Sequence, residues 1–338
     1  MIGRTVFVVV FLAGLAPAAA QHHGAAPRSV TIGVSSLEHA QNFFAGTLDL
    51  DIEAQGEVPD DVLAAWGMPD RAAGYVLLSR DGYRAGRIRL IQTDSPASEH
   101  VRTDLLPGRG DTPFAVGPKA LDIYVPADMD SAVTALEEAG YSLRNGPVDY
   151  EFSGLIEAMH AGPDGVPIVL MTRPNGPASD IRGDLRPGTY GEVATLSVIT
   201  ASPPLTARFY GDLLGMPMTL DREASPRLAR AVSQLTGVPE DTRVYWQMLV
   251  EADQPSGKVI VVHYPDVQQS RLTGRMHPQR LGIALYSFVR PDLDAVAEQA
   301  NDLGFAVERP PVDTSWGRMM LVRGPNDELV EIVEGESE

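Results

Sequence analysis

The sequence predicts an α+β protein built from four copies of one module, each a strand, a helix and three further strands (βαβββ). Two observations predict this fold. The second half of the chain repeats the landmarks of the first half in order, and each half divides again into two similar modules. In addition, 338 residues are too many for one ordinary core, which favours two domains.

The repeat between the halves is visible in their strands and turns. The opening strand Val30-Thr-Ile-Gly-Val34 matches Ala194-Thr-Leu-Ser-Val198, 164 positions later. The turn Gly162-Pro-Asp-Gly165 matches Gly324-Pro-Asn-Asp327, 162 positions later. A spacing that stays nearly constant between distant landmarks indicates a duplication, and internal repeats define an architecture more firmly than local propensity does.

The second module shows the order of elements most clearly. A helix is predicted over residues 130–139, with apolar residues on one face and Gly140 as its C-terminal stop. Strands are predicted near residues 142–145, 156–160 and 167–171. The fourth module repeats this order, so the two halves end alike.

The predicted modules occupy residues 28–95, 118–173, 190–265 and 280–336. We expect the first two modules to pair into one domain over residues 28–173, and the last two to pair into a second domain over residues 190–336. Residues 174–189 are rich in proline and glycine, and they are predicted to be the linker.

Residues 1–20 have the order of a secretory signal peptide. Arg4 is followed by an apolar run over residues 6–15 and by small residues up to Ala20. The run is too short to anchor the protein in a bilayer. We therefore expect cleavage after Ala20 and a secreted, periplasmic protein that does not bind the membrane.

Composition excludes several classes of function. Hydrophobic residues make up 44% of the chain and charged residues 21%, which excludes a disordered chain and a polytopic membrane protein. A formal charge of −18 disfavours binding to nucleic acid or to an anionic membrane. The chain has no cysteine, so disulfides, thiol catalysis and thiolate metal sites are also excluded.

Together these motifs resemble those of the vicinal oxygen chelate superfamily, which contains glyoxalases, bleomycin resistance proteins and extradiol dioxygenases. The signatures are an opening strand with an Asp-x-Asp helix start, an aromatic pair before a Leu-Asp-Leu or Leu-Gly-Met turn, and a Gly-Pro-Asp-Gly type of turn before the last strand. The resemblance implies that paired modules enclose clefts, two for four modules. It does not assign the chemistry, because this fold hosts isomerases, lyases, dioxygenases and metal-free binding proteins.

Metal-dependent members of this superfamily place a histidine in the first strand of a module and a glutamate in its last strand. The resemblance assigns these positions to Ser29, Ala120, Val193 and Ala284 in the first strands, and to Arg89, Val169, Ile260 and Glu331 in the last strands. Only Glu331 is a competent ligand, whereas catalytic sites normally take about three protein ligands. We therefore expect no cofactor; a divalent metal held by Glu331 and His263 across a cleft is the alternative.

Alternate residues of the opening strands face the clefts if the resemblance holds. The residues predicted to line the clefts are Asp122 and Tyr124 in the first, Tyr286, Phe288 and Trp246 in the second, and Trp316 in a covering loop. Asp122, Tyr124 and His263 are candidates for acid/base catalysis. Arg89, at a metal-ligand position, would bind a carboxylate or phosphate. Two alternatives stay open: the aromatic residues form core, and Arg89 faces outward.

These residues predict an exported protein that binds a small organic molecule, aromatic or anionic, in a cleft without a metal. The alternatives are a lyase, isomerase or dioxygenase-like enzyme with acid/base residues or a rebuilt metal site, and a structural protein with filled clefts. Whether the chain is an enzyme stays open. Segments 58–70 and 225–240 are predicted to be helical lids or interface packing, and two complete halves favour a monomer.

Overall fold

The computed structural model describes residues 26–80, 83, 85–94, 99–106, 111–125, 128–150, 154–173, 190–250 and 257–335. The predicted signal peptide and the predicted linker lie outside the described residues. None of the helices in the described part of the chain is long and apolar enough to cross a membrane.

The four modules have the predicted βαβββ order, and modules 1 and 3 carry one additional helix between their second and third strands. Module 1 contains β1 (Ser29–Gly33), α1 (Leu37–Gln41), β2 (Asp51–Glu57), α2 (Asp60–Ala65), β3 (Ala73–Ser79) and β4 (Arg87–Thr93). Module 2 contains β5 (Gly117–Tyr124), α3 (Met129–Glu138), β6 (Leu143–Tyr150), β7 (Leu155–Ala161) and β8 (Pro167–Thr172). Module 3 contains β9 (Val193–Ile199), α4 (Pro203–Ala207), β10 (Met218–Glu223), α5 (Pro226–Thr236), β11 (Tyr245–Leu249) and β12 (Lys258–His263). Module 4 contains β13 (Gly282–Arg290), α6 (Leu293–Leu303), β14 (Ala306–Thr314), β15 (Gly317–Arg323) and β16 (Leu329–Glu334).

The strands form two eight-stranded sheets. Sheet A has the order β14-β15-β16-β13-β1-β4-β3-β2, and sheet B has the order β10-β11-β12-β9-β5-β8-β7-β6. In both sheets the two modules join through their opening strands, which run antiparallel: β1 pairs with β13, and β5 pairs with β9. The predicted α+β fold of four modules, forming two paired domains, is therefore confirmed.

The expected pairing within each half of the chain is wrong. Module 1 pairs with module 4, and module 2 pairs with module 3. The repeat shows which modules are alike, but not which edges meet. Each opening strand pairs with the last strand of its own module and leaves its other edge open. The opening strand of any other module can satisfy that edge, so the choice of partner depends on contacts distant in sequence.

The inserted helices α2 and α5 pack against the partner module. Helix α2 lies against β14 and β15, and α5 lies against β6 and β7. Helix α5 starts at a proline preceded by Ser225, whose hydroxyl accepts from the Leu228 N–H at 3.3 Å. Both inserts end at a glycine in the left-handed region, Gly67 with φ of 82° and Gly237 with φ of 74°, where other residues are strained.

The core of each module lies between the sheet and its helices. The aromatic pairs of the repeat, Phe43 with Phe44 and Phe209 with Tyr210, are fully buried. Each pair lies within a short π-helical continuation of α1 or α4. The opposite face of each paired sheet is left to form a cleft.

We predict that a disulfide can be built between β1 and β13. Ser29 and Ser287 are direct partners in this antiparallel pair, where Cα atoms lie about 4.5–5.5 Å apart, within the range a disulfide spans. Because the chain has no cysteine, Ser29→Cys combined with Ser287→Cys should give one cross-linked peptide by mass spectrometry after oxidation. The control is Ser29→Cys with Ala120→Cys, the opening strands of the first half, which should stay reduced. Cross-linking in the control alone would contradict the observed pairing.

Candidate functional site

A cavity of about 260 Å³ lies on the open face of sheet A, between modules 1 and 4; we call it cleft A. Its described lining combines three arginines, two aromatic rings and one carboxylate: Arg28, Arg87, Arg89, Tyr75, Trp316 and Glu331. The cleft is therefore locally basic in a chain whose formal charge is −18.

A buried ion pair crosses the floor of cleft A. Arg89 on β4 donates through Nη2 to Glu331 Oε2 on β16 at 2.9 Å, and their side chains are 9% and 1% exposed. Arg89 Nε donates to the hydroxyl of Thr31 at 2.9 Å. Thr31 lies beside Arg89 in the β1–β4 pair, so the register of the sheet sets this contact. Arg89 thus faces the cleft, and its guanidinium is fixed from two sides.

Glu331 is held by donors from several elements. Its Oε1 accepts from Trp66 Nε1 at 2.8 Å, and the Ser287 hydroxyl also donates to the carboxylate. Burial alone would raise the pKa of Glu331, but the charge of Arg89 and these hydrogen bonds outweigh it and hold the pKa below its usual range. The carboxylate therefore stays ionised at neutral pH.

Aromatic rings enclose the guanidinium of Arg89. Its central carbon lies 4.8 Å from the ring centre of Trp66 and 5.4 Å from that of Trp316. Trp316 in turn packs edge-on against Trp66 at 5.6 Å and against Tyr75 at 5.0 Å. A cation over aromatic faces is attracted by their quadrupoles, so these rings stabilise the charge while forming an apolar wall.

The turn that carries Trp316 is tied to helix α2. Asp61 Oδ2 accepts from both the backbone N–H and the hydroxyl of Ser315, each at 2.7 Å. This contact joins the β14–β15 turn of module 4 to module 1. It places Trp316 over the ion pair.

The donor set of cleft A does not fit the metal site of metal-dependent superfamily members. The strand register brings Thr31 and Ser287 beside Arg89 and Glu331, instead of the first-strand positions expected from the sequence. These four residues are poor ligands for a divalent ion. They offer two hydroxyls, one guanidinium, and one carboxylate whose oxygens already accept from Arg89 and Trp66. Among the described residues, no group of three His, Cys, Asp or Glu side chains is arranged to hold a metal.

A second, smaller cavity of about 70 Å³ lies on the open face of sheet B, between modules 2 and 3; we call it cleft B. Val169 and Ile260, the last-strand positions of these modules, contribute apolar walls. Asp122 on β5 also lines it and accepts from the Ser197 hydroxyl, with distances of 3.3 and 3.2 Å to its two oxygens. Burial raises the pKa of Asp122 well above its usual range, and the charge of Glu157 raises it further.

Glu157 is a second carboxyl in cleft B. Burial raises its pKa to about 7, against the opposing effects of a hydrogen bond from Tyr150 and the charge of Arg173. His160, three residues further along β7, faces the opposite side of the strand, where it is buried with its Nδ1 3.1 Å from the Tyr141 carbonyl oxygen.

The structure separates the predicted site residues into several places. Arg89, Trp316 and Glu331 line cleft A, whereas Asp122 and Trp246 line cleft B. Tyr124 lies on the same face as Asp122 but is buried, with the guanidinium carbon of Arg173 5.0 Å from its ring. It does not line either cavity.

Two predictions about the second half are wrong. Tyr286 and Phe288 do not form a cleft wall, because they lie on the helix side of β13 in the core, and Ser287 between them faces cleft A. The opening strand had been placed one residue out of register.

The proposed metal pair Glu331 and His263 does not meet. Glu331 is in sheet A and His263 is in sheet B, where its Nδ1 lies 2.9 Å from the Thr200 carbonyl oxygen. This error follows from the wrong pairing of modules.

Sequence reasoning missed several contributors to the clefts. Among them are Thr31 and Ser287, which hydrogen-bond to the ion pair, Trp66, which donates to Glu331, and Tyr150, which donates to Glu157. Hydroxyls and indoles carry little signal in one sequence. Their roles follow from strand register, which a single sequence does not display.

The comparisons with known proteins agree with this geometry. Residues 192–332 match the family model of the glyoxalase/bleomycin resistance protein/dioxygenase superfamily. Glyoxalase I from Zea mays has a similar structure, with a TM-score of 0.65, 13% sequence identity, and coverage of 91% of this chain and 92% of that chain. A candidate dioxygenase from Bacillus subtilis has a TM-score of 0.57 and 15% identity, over 92% of this chain and 85% of that chain. No curated protein matches the chain.

The segment of residues 192–332 therefore belongs to the glyoxalase/bleomycin resistance protein/dioxygenase superfamily, also called the vicinal oxygen chelate superfamily. This confirms the resemblance that the sequence motifs indicated. At these identities the two solved structures show the shared fold and nothing about the reaction.

We predict that Glu157 makes the stability of the protein depend on pH. Its pKa is about 7 in the folded protein against about 4.5 in the unfolded chain, so the folded state binds its proton more tightly. The stabilisation is complete below pH 4.5 and is lost as pH rises to about 7. Urea unfolding should show the free energy of unfolding of the wild type falling by a few kcal/mol, relative to Glu157→Gln, across this window.

The matched control is Glu240→Gln, an exposed glutamate, which should shift the whole profile by less than about 0.5 kcal/mol. Parallel profiles for wild type and Glu157→Gln would show that Glu157 is not a high-pKa carboxyl.

Proposed function

We propose that the protein is an exported member of this superfamily that binds a small organic anion in cleft A without a metal. The observation that carries the proposal is the ion pair between Arg89 and Glu331. These residues occupy the last-strand positions of the two paired modules, where metal-dependent members place carboxylate ligands. A guanidinium here provides positive charge in place of a metal ion.

The charge of the lining supports an anionic ligand. Arg28, Arg87 and Arg89 contribute to the cavity surface, whereas Glu331 is the carboxylate in its described lining. Arg87 forms an ion pair with Glu53 at 2.8 Å, which orients its guanidinium. Guanidinium groups bind carboxylates and phosphates through two parallel hydrogen bonds, so this cluster suits either.

The shape of the lining supports a ligand with an apolar part. Tyr75 and Trp316 form one wall, and Leu77, Met319 and Val333 add aliphatic surface. Pockets for small molecules combine such walls with a few polar groups that fix orientation. A volume of about 260 Å³ accommodates an aromatic or branched carboxylic acid better than an inorganic ion.

The same contacts favour binding over acid/base chemistry in cleft A. Glu331 is ionised, and its two oxygens accept from Arg89 and Trp66. A base held in this way is poorly placed to take a proton from a ligand. Export is supported by residues 1–20 of the sequence, with their basic start, apolar run and small residues before Gln21.

Calorimetric titration with benzoate and phenylacetate tests the proposal, with benzamide as the neutral control. We expect the two carboxylates to bind with the same affinity in the presence and absence of EDTA, and benzamide to bind at least about tenfold more weakly. Arg87→Met should weaken carboxylate binding about tenfold or more, because it removes a cation from the lining. The matched control is Arg243→Met, an exposed arginine in the loop before β11, which should leave the affinity unchanged.

Carboxylate binding that disappears with EDTA and returns with a divalent metal would contradict the proposal. Equal binding of benzoate and benzamide would contradict the role of the arginines.

A further inference from the structure

We propose that cleft B is a second, separate binding site, which takes a small neutral molecule carrying a hydrogen-bond acceptor, such as a carbonyl compound. The proposal does not depend on the function of cleft A. It rests on a mainly apolar cavity, on two hydrogen-bond donors among its lining residues, and on the balance of charge around it.

Cleft B is closed by parts of both modules. Helix α5 of module 3 covers it with Val232 and Leu235, while Met159 of module 2 and Val262 of module 3 supply walls from the sheet. Because α5 packs against β6 and β7, the helix holds the cavity shut over the partner module. The result is a small space of about 70 Å³ whose exposed wall is mainly apolar, with polar side chains among the lining residues.

Two polar groups of the lining are available to donate. Trp246 lines the cavity, and its indole N–H is buried with no hydrogen-bond partner among the described residues. Asp122 accepts from Ser197, so its own carboxyl proton is not used in that contact. The raised pKa of Asp122, due to burial and to the charge of Glu157, favours this protonated form. A buried donor without a partner is costly, and an acceptor atom on a ligand would satisfy it.

The charges around the cavity favour a neutral ligand. An anion would be repelled by the ionised form of Glu157, whose pKa burial raises to about 7, and would lose its own solvation in the apolar cavity. A cation would be repelled by Arg173 and Lys258, whose charges act on these carboxyls and which lie 5.0 and 6.0 Å from the Tyr124 ring. The other charged group of the lining is Lys119, which already forms an ion pair with Asp104. Tyr150 and Tyr264 are the remaining ionisable groups of the described lining; burial raises the pKa of each, so both stay neutral.

The size of the cavity limits the ligand. A cavity of about 150 Å³ holds a benzene molecule, so about 70 Å³ has room for roughly three or four non-hydrogen atoms. Acetone and acetamide have four and carry a carbonyl acceptor. Acetate and isopropylammonium have the same number of atoms and opposite charges, so they are matched probes for the role of charge. Each non-hydrogen atom of a small ligand contributes only a limited binding free energy. We therefore expect ligands of this size to bind with millimolar dissociation constants.

Nuclear magnetic resonance of the indole N–H groups tests the proposal directly. The chain has three tryptophans, of which Trp246 reports on cleft B while Trp66 and Trp316 report on cleft A. Trp246→Phe and Trp316→Phe assign the three signals. We expect acetone and acetamide to shift the Trp246 signal downfield in a saturable way, with millimolar dissociation constants. Acetate and isopropylammonium should shift it at least about tenfold less at the same concentration.

Substitution of Asp122 separates a donor role from a purely structural one. Asp122→Asn keeps a neutral donor and should bind acetone within about threefold of the wild type. Asp122→Leu keeps the approximate size but loses the donor, and should bind at least about tenfold more weakly. Unchanged Trp66 and Trp316 signals show that either variant is folded.

Three outcomes would overturn the proposal: no shift of Trp246 by acetone or acetamide up to 0.2 M, stronger shifts with a charged probe, or full binding by Asp122→Leu. Benzoate, the probe for cleft A, should instead shift Trp316. Failure in one cleft is therefore distinguishable from failure in the other.

Discussion

The ion pair between Arg89 and Glu331 is the contact on which the rest of cleft A depends. It joins residues 242 positions apart, in the last strands of two modules that meet only because β1 pairs with β13. Removing two charges from water costs several kcal/mol per ion, and the attraction between them offsets this cost only when further hydrogen bonds are present. Thr31 and Trp66 supply such bonds, so each charge would be strongly destabilising without the other. Cleft A therefore forms only when modules 1 and 4 pair.

One fold with two paired sheets gives two chemically different clefts. At equivalent positions of the last strands, sheet A carries Arg89 and Glu331, while sheet B carries the apolar Val169 and Ile260. The first pair keeps charge at the floor of cleft A and favours an ionic ligand. The second leaves Asp122 in a cavity with little to stabilise its charge, which favours the neutral acid. The described linings of the two clefts have no residue in common, so a substitution in one lining leaves the other lining's residues in place.

Local patterns predicted the modules, and they failed where strand register or distant pairing decides the outcome. The repeat, the turn motifs and the helix ends are encoded within a few residues, so the four modules were predicted. Tyr286 and Phe288 were assigned to the wrong face because residues 282–288 of β13 are buried on both sides, and such a strand lacks the polar alternation that distinguishes its faces. His263 was placed near Glu331 because sequence order does not show which modules pair. Arg89 was found because it occupies a position that the superfamily defines.

The central claim is that a guanidinium takes the place of a metal ion in cleft A. Elemental analysis tests it most directly, after the purified protein has been incubated with zinc, nickel, manganese or ferrous ions and freed of excess metal by gel filtration. We expect far less than one equivalent of each metal, and the same amount in the wild type and in Glu331→Gln. One equivalent of a metal in the wild type that is lost in Glu331→Gln would contradict the claim.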